Sequence, residues 1–301
     1  MNPNMLLQFF DSRRERGESL VLVTVYETRG STYSKAGAQM LVDQNGVFRG
    51  MLSGGCLEGD LSIRAQQVLE SATPQTVAYD LGVDDELWGM GVGCDGLMRM
   101  YLQPLRPQDG YAPFTQIADI LRGHTAADLS IPIPIAGGSP DTLIIRVEPP
   151  PQVLVLGAGL DAEPVVRFAA ELGWRCTVFD HRQAYIDNGD FSLATATCCA
   201  PADELADRLD LARFRLAIVM SHHLATDRSY LTQLAETDMA YVGLLGPRNR
   251  RDRLLAEIGP TALRLENRLY GPAGLDIGAR GPAPIALSIV AQMQEELSRA
   301  S

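Results

Sequence analysis

The sequence predicts an α/β protein in two parts, an amino-terminal mixed α+β domain followed by a doubly wound parallel-sheet domain. Three observations predict it. In the second half, short apolar runs alternate with helical patterns from residue 152 onward. In the first half the strand-like runs follow one another through turns, with Asn45-Gly46 as a strong hairpin signal between residues 38–43 and 47–52. Between the halves, Pro149-Pro150-Pro151 is the clearest break. The expected division is 1–108, a connector over 109–150, and 151–301.

The first part opens with an amphipathic helix at about residues 4–16, ended by Gly17. A β-branched strand at 19–26 should be buried on both faces. It leads into a hydroxyl-rich loop, Gly30-Ser-Thr-Tyr-Ser-Lys-Ala-Gly37. After the hairpin comes Ser53-Gly-Gly-Cys-Leu-Glu-Gly59, then a helix at about 57–71 with Leu57, Leu61, Ala65, Val68 and Leu69 at helical spacing. A strand at 76–80, a second glycine-cysteine loop at 89–96 and a strand at 97–102 complete a mixed sheet. The connector carries a helix near 113–122 and a strand near 142–147.

Cys56 is placed at the start of a helix, where unpaired N–H groups and the helix dipole favour thiolate. Glu58 and Asp60 in the same turn push the other way. The thiol is then either moderately activated, or a ligand that ionises only when a metal arrives, or a small cysteine packed under a turn. Lys35 is the only lysine among 26 basic residues, which marks it as a compact ammonium in a chain that otherwise uses arginine.

In the second part a strand at 152–156 runs into Gly157-Ala-Gly159-Leu-Asp-Ala162 and a helix to about 172. A strand at 174–179 ends in Asp180, about 20 residues beyond the glycines, the order of a Rossmann-like dinucleotide fold with Ala162 in the third glycine place. Further strands at about 193–197, 216–220 and 240–244 alternate with helices at about 201–210, 226–237 and 248–257. Asp161 and Glu163 oppose a pyrophosphate at this turn by roughly 1 to 3 kcal/mol each at ~6 Å, and are expected to satisfy the helix dipole themselves. Asp180 would favour NAD over NADP, with His181 and Arg182 blurring that preference.

Ser221-His222-His223 follows the fourth strand, and either histidine is a candidate ligand contact or general base, or a surface or cap residue. Arg248, Arg250, Arg251 and Arg253 at a helix start are either an anion site or a solvated face. Asp276 and Arg280 are expected to pair within the loop before a last helix at about 282–297, whose Ile285, Ile289, Val290 and Met293 should dock on the sheet.

Bulk properties narrow the function. Hydrophobic content of 46% with 21% charged residues is that of a globular protein with a sizeable core. A formal net charge of -11 argues against nucleic acid or an anionic membrane as principal partner. Five irregularly spaced cysteines fit a reducing compartment and lack zinc-knuckle spacing. No leader-like segment or membrane-length window is present, so a soluble, cytoplasmic protein is expected.

Taken together and in order, the 30–37 and 53–59 loops, the Gly157-Ala-Gly159 turn, Gly243-Leu-Leu-Gly-Pro-Arg-Asn-Arg250 and Gly274-Leu-Asp-Ile-Gly-Ala-Arg280 resemble the XdhC/CoxI family across nearly the whole chain. That resemblance implies a maturation factor that binds molybdenum cofactor, supports its sulfuration and inserts it into a xanthine dehydrogenase-like molybdenum hydroxylase. A cysteine desulfurase is an implied further partner, and a homodimer is left open. The family's glycine-cysteine motifs fall on Gly54, Gly55 and Cys56, and on Gly93 and Cys94, with Cys56 and Cys94 as the thiols nearest the metal. Arg29, Ser31, Lys35, Ser53, Glu58, Gly157, Gly159, Asp180, His222, Arg248, Asp276 and Arg280 complete the expected cofactor-binding set. Asp95, Leu160 and Ser221 depart from the family's commoner glycine, histidine and threonine. The alternative reading is an NAD(P)-dependent oxidoreductase using the second domain, with His222 as its acid–base candidate.

Overall fold

A computed structural model describes residues 2–81, 96–134 and 141–299. The chain forms two compact units, up to Pro149 and from Pro150. Each is built on its own sheet.

In the first unit, helix α1 (Pro3–Arg14) starts at Asn2, whose side chain accepts from Asn4 N–H at 3.0 Å, with proline at the first helical position. Strand β1 (Leu20–Arg29) is fully buried through Val25, as its unbroken apolar run requires. It pairs with β2 (Gln39–Asp43) on one side and β5 (Leu97–Leu105) on the other. With β3 (Phe48–Arg49) and β4 (Gln75–Asp80) the order is β3-β2-β1-β5-β4, antiparallel throughout rather than mixed. Successive side chains of β1 point to opposite faces. Val21, Val23 and Val25 meet Leu61, Ala65 and Val68 of helix α2 (Glu58–Ser71), while Leu20 and Leu22 join the cluster of α1.

The predicted strand over 47–52 shortens to two residues. A Cβ at Gly50 would lie 2.7 Å from Gln39 O, and Gly50 has φ +111, so the chain leaves the sheet there and turns into the Cys56 loop. The described residues between 109 and 149 belong to the first unit, with helix α3 (Phe114–Arg122) and an antiparallel pair of β6 (Ala127–Ile133) and β7 (Asp141–Val147). Sequence reasoning missed β6 because Pro132 lies in it, a residue confined to edge positions such as this two-stranded ribbon.

The second unit alternates β8 (Gln152–Leu156), α4 (Ala162–Glu171), β9 (Arg175–Asp180), α5 (Gln183–Asn188), β10 (Ala196–Cys199), α6 (Leu205–Arg208), β11 (Leu216–Val219), α7 (Leu224–Leu234), β12 (Tyr241–Leu244), α8 (Arg248–Ile258), β13 (Leu269–Tyr270) and α9 (Pro282–Arg299). All six strands are parallel in the order β10-β9-β8-β11-β12-β13, the doubly wound arrangement whose direction reverses between β8 and β11. Helices α4 and α9 share one face through Val165, Val166, Ala169, Ile289 and Met293. Tyr230, Leu231 and Leu234 of α7 and Leu254 of α8 cover the other. No helix of the described residues is long and apolar enough to cross a membrane.

Candidate functional site

In the first unit the turn from Leu52 to Glu58 is closed by the Glu58 carboxylate. Its Oε1 accepts from Leu52 N–H at 2.7 Å and Ser53 N–H at 2.8 Å, and its Oε2 accepts from the Ser53 hydroxyl at 2.5 Å and Gly55 N–H at 3.0 Å. Ser53 Oγ in turn accepts from Leu57 N–H at 2.8 Å. Glu58 is 3% exposed. Burial pushes its carboxyl up, but the bonds from Ser53 and Leu52 outweigh that and hold it below the usual carboxylate range. Glu58 thus engages N–H groups of the turn that precedes the helix. Asp60 is committed too, accepting from Tyr79 at 2.5 Å and Arg64 at 2.6 Å.

What the staple leaves free is the crest of the turn. Gly54 (φ +79) and Gly55 (φ +113) are exposed, in a conformation that side chains resist, and Cys56 is a half-buried free thiol. The 30–37 loop lies against this crest. Three carbons of the Tyr33 ring are 3.4 to 3.8 Å from where a Gly54 Cβ would project, and Ser34 Oγ donates to Met51 O at 3.4 Å. The loop is itself braced: Thr32 Oγ1 donates to Ser34 O at 2.8 Å, and Gly96 fits so closely under it that a Cβ would fall 2.4 Å from Ser31 O. Lys35 is exposed, reaches Thr32 Oγ1 at 3.4 Å, and forms no ion pair among the described residues. Ser31 is exposed. Arg29 is paired with Glu27 at 2.8 Å and is not a free cation. Gly93 and Cys94 lie outside the described residues. Tyr33, which sequence reasoning passed over as one hydroxyl among several, is the side chain that joins the two loops.

In the second unit the glycine turn sits at the reversal point of the sheet. Gly157 has φ +124, and a Cβ there would meet the Met220 carbonyl at 2.6 Å and Ser221 N at 2.7 Å, so β8 and β11 close on each other only through a glycine. A Cβ at Gly159 would meet nothing within 4 Å. Beside it opens a crevice of about 520 Å³ lined by Gly159, Leu160, Asp161, Tyr185, Asn188 and His222, among others.

Asp180 is not among the residues that line that crevice. It is fully buried, accepting from Ala158 N–H at 2.8 Å, Arg182 N–H at 2.9 Å and both arms of the Arg182 guanidinium. Burial raises its carboxyl, and the bonds from Arg182 and Ala158 overcome this and lower it. Arg182 stacks 3.6 Å above the Tyr185 ring. The acids at the helix start are likewise engaged: Asp161 meets His222 Nε2 at 3.0 Å, and Glu163 accepts from Asp190 N–H at 3.1 Å. His222 is exposed and has φ +62. Beneath it Ser221 donates to Asp227, which also receives Arg250 at 2.6 Å. His223 is the cap of α7, accepting from Thr226 N–H.

The arginine cluster is mostly spent on structure. Arg250 holds Asp227, Arg251 reaches Gly271 O at 2.6 Å, and Arg253 pairs with Glu257 at 2.9 Å, leaving only Arg248 exposed and without an ion pair among the described residues. Asp276 and Arg280 are both exposed and form no ion pair with each other, contrary to expectation, because the loop is held instead by Gly274 N–H donating to Gln292 at 2.8 Å.

Comparison with known proteins follows the same division. The profile described as the XdhC Rossmann domain matches residues 153–293, and that of the XdhC and CoxI family matches residues 13–80. A Bacillus subtilis (strain 168) protein named as a probable xanthine dehydrogenase subunit is 31% identical, over 96% of this chain and 96% of its own length. The Escherichia coli (strain K12) molybdenum cofactor insertion chaperone PaoD is 24% identical, over 96% of this chain and 86% of its own. A crystal structure of a xanthine dehydrogenase from Bacillus halodurans superposes with a TM-score of 0.85 at 29% identity, covering 98% of this chain and 96% of that one. With both halves matched in order and a relative similar from end to end, this chain belongs to the XdhC and CoxI family.

Proposed function

We propose that this chain is an accessory protein that binds molybdenum cofactor and delivers it to a xanthine dehydrogenase-like molybdenum hydroxylase, with its main holding site at the loops around Cys56. The observation that carries this reading is the meeting of the 30–37 loop with the Gly54-Gly55-Cys56 crest through the Tyr33 ring, which brings together two stretches carrying a free thiol and an exposed ammonium without an ion pair among the described residues. The names of the two relatives, one an insertion chaperone and the other part of a dehydrogenase, support it.

The cargo is a metal already held by the two sulfurs of its own organic ligand, with a heterocycle and a phosphate. The residues present suit it. Cys56 offers a soft donor to the metal, the glycine crest lets backbone come close, and Lys35 offers a cation to the phosphate. A role in sulfuration, with a cysteine desulfurase as partner, is part of the proposal and rests on the family alone. Asp180, spent inside the turn, gives no support to the oxidoreductase alternative, which keeps only the crevice and His222.

The test is retention of molybdenum cofactor on gel filtration, read as molybdenum and as pterin fluorescence. Wild-type protein should retain it and Cys56→Ser should retain less. Equal retention would remove the thiol from the site, and none by the wild type would end the reading. Calorimetric titration with NAD and NADH decides the alternative, since it requires heat with at least one.

A further inference from the structure

Tyr33 is out of place as a structural residue. It is 62% exposed in a short polar loop, where an aromatic ring contributes little burial. Yet its ring is not loose. Gly37 N–H donates to Val25 O at 2.8 Å and Ala38 N–H to Lys35 O at 3.1 Å, fixing the far end of the loop, while Gly96 and the Thr32 to Ser34 bond fix the near end. The ring rests on the bare Cα of Gly54, where Cγ, Cδ2 and Cε2 all come within 3.8 Å of the position a Cβ would take. Three consecutive ring carbons at nearly equal distance place that position over the ring rather than at its rim. One side of the ring is thus seated on the crest of the turn and the rest is open.

We infer that Tyr33 is a stacking platform for the planar heterocycle of the cofactor, positioned by Gly54 so that the same ligand spans from Cys56 to Lys35. This deepens the proposed function and rests on it. The cargo has a metal, a flat bicyclic ring and a phosphate in one small molecule, and the surface offers a thiol two residues from Gly54, an open aromatic ring on Gly54, and a lysine two residues from that ring. Flat heterocycles stack on tyrosine without needing a particular hydrogen-bonding edge, and the contact is worth about ten- to hundred-fold in affinity. A pre-seated ring loses little freedom on binding, which is why the loop is braced at both ends.

The experiment uses the full chain with two probes, molybdenum cofactor and a small metal-free, phosphate-free pterin, each followed by quenching of pterin fluorescence. Wild type and Tyr33→Phe should quench both. Tyr33→Leu should bind the cofactor about ten- to hundred-fold more weakly and quench the small pterin little, with an unchanged circular dichroism spectrum, since the exposed side chain supports no core. If Tyr33→Leu binds both probes as the wild type does, the platform is wrong while the carrier reading stands. If the wild type binds neither, both fall.

Discussion

Glu58 grips Ser53 twice, taking its N–H on one carboxylate oxygen at 2.8 Å and its hydroxyl on the other at 2.5 Å. The pair converts a glycine-rich turn, which would otherwise sample many conformations, into a fixed crest carrying Cys56. Glu58→Gln puts an amide N–H where an acceptor is required, setting donor against donor. We expect amide hydrogen exchange at Leu52, Ser53 and Gly55 to accelerate by about ten- to hundred-fold, matching the roughly 1.5–3 kcal/mol of a hydrogen bond to a charged group. Unchanged exchange at Gly55 would mean that the carboxylate does not hold the turn.

The same staple sets a pH dependence. The Glu58 and Asp180 carboxyls are both held below their ordinary values in the folded chain. Such groups contribute stability that is whole above the unfolded carboxylate pKa of about 4 and is withdrawn as pH falls through the lower folded values. Thermal unfolding should therefore vary little on this account between about pH 5 and 7, and the midpoint should drop on acidification below about pH 4. Glu58→Gln and Asp180→Asn should each flatten that acid limb, and calorimetric scans across the range check it.

Gly157 and Gly159 belong to one sequence motif but answer to different constraints. Gly157→Ala forces a Cβ onto the Met220 carbonyl at 2.6 Å with a backbone already at φ +124. It should cost on the order of 3 kcal/mol or more, or yield insoluble protein. Gly159→Ala meets open space and should shift stability by no more than about 0.5 kcal/mol. Urea denaturation of the pair separates them, and equal effects would contradict the described turn.

His222 stands in a left-handed conformation above the Ser221, Asp227 and Arg250 network. Asp227 is 1% exposed, so Asp227→Ala leaves the Arg250 guanidinium without its partner, and with the Arg250 side chain 20% exposed the loss should fall at or below the low end of the about 3–5 kcal/mol of a fully buried pair. His222→Gly relieves the backbone and removes an exposed side chain together with its contact to Asp161. It should be neutral or slightly stabilising, by up to about 1 kcal/mol, with thermal midpoints as the readout.

Much of the architecture was legible before folding because it is written in local patterns. The unbroken apolar runs of β8 and β11, the glycine turn after Leu156 and the acid at Asp180 pointed to the parallel sheet, and Asn45-Gly46 placed the first hairpin. The misses have local causes too: Pro132 disguised β6, Gly50 cut short β3, and the two-residue β13 is too brief for any periodicity to register.

Sequence by itself determined the fold class, most of the longer strands and helices and which short stretches are unusual, since side-chain periodicity records burial residue by residue. Only the tertiary structure decided how the special residues are spent. Glu58 and Asp180 read as ligands in sequence, yet each satisfies backbone N–H groups of its own neighbouring turn. Tyr33 reads as filler, yet it is the ring seated on Gly54. The physical reason is that hydrogen bonds and ring contacts are pairwise. Which donor a carboxylate takes depends on where two loops meet, and no periodicity along one chain carries that information.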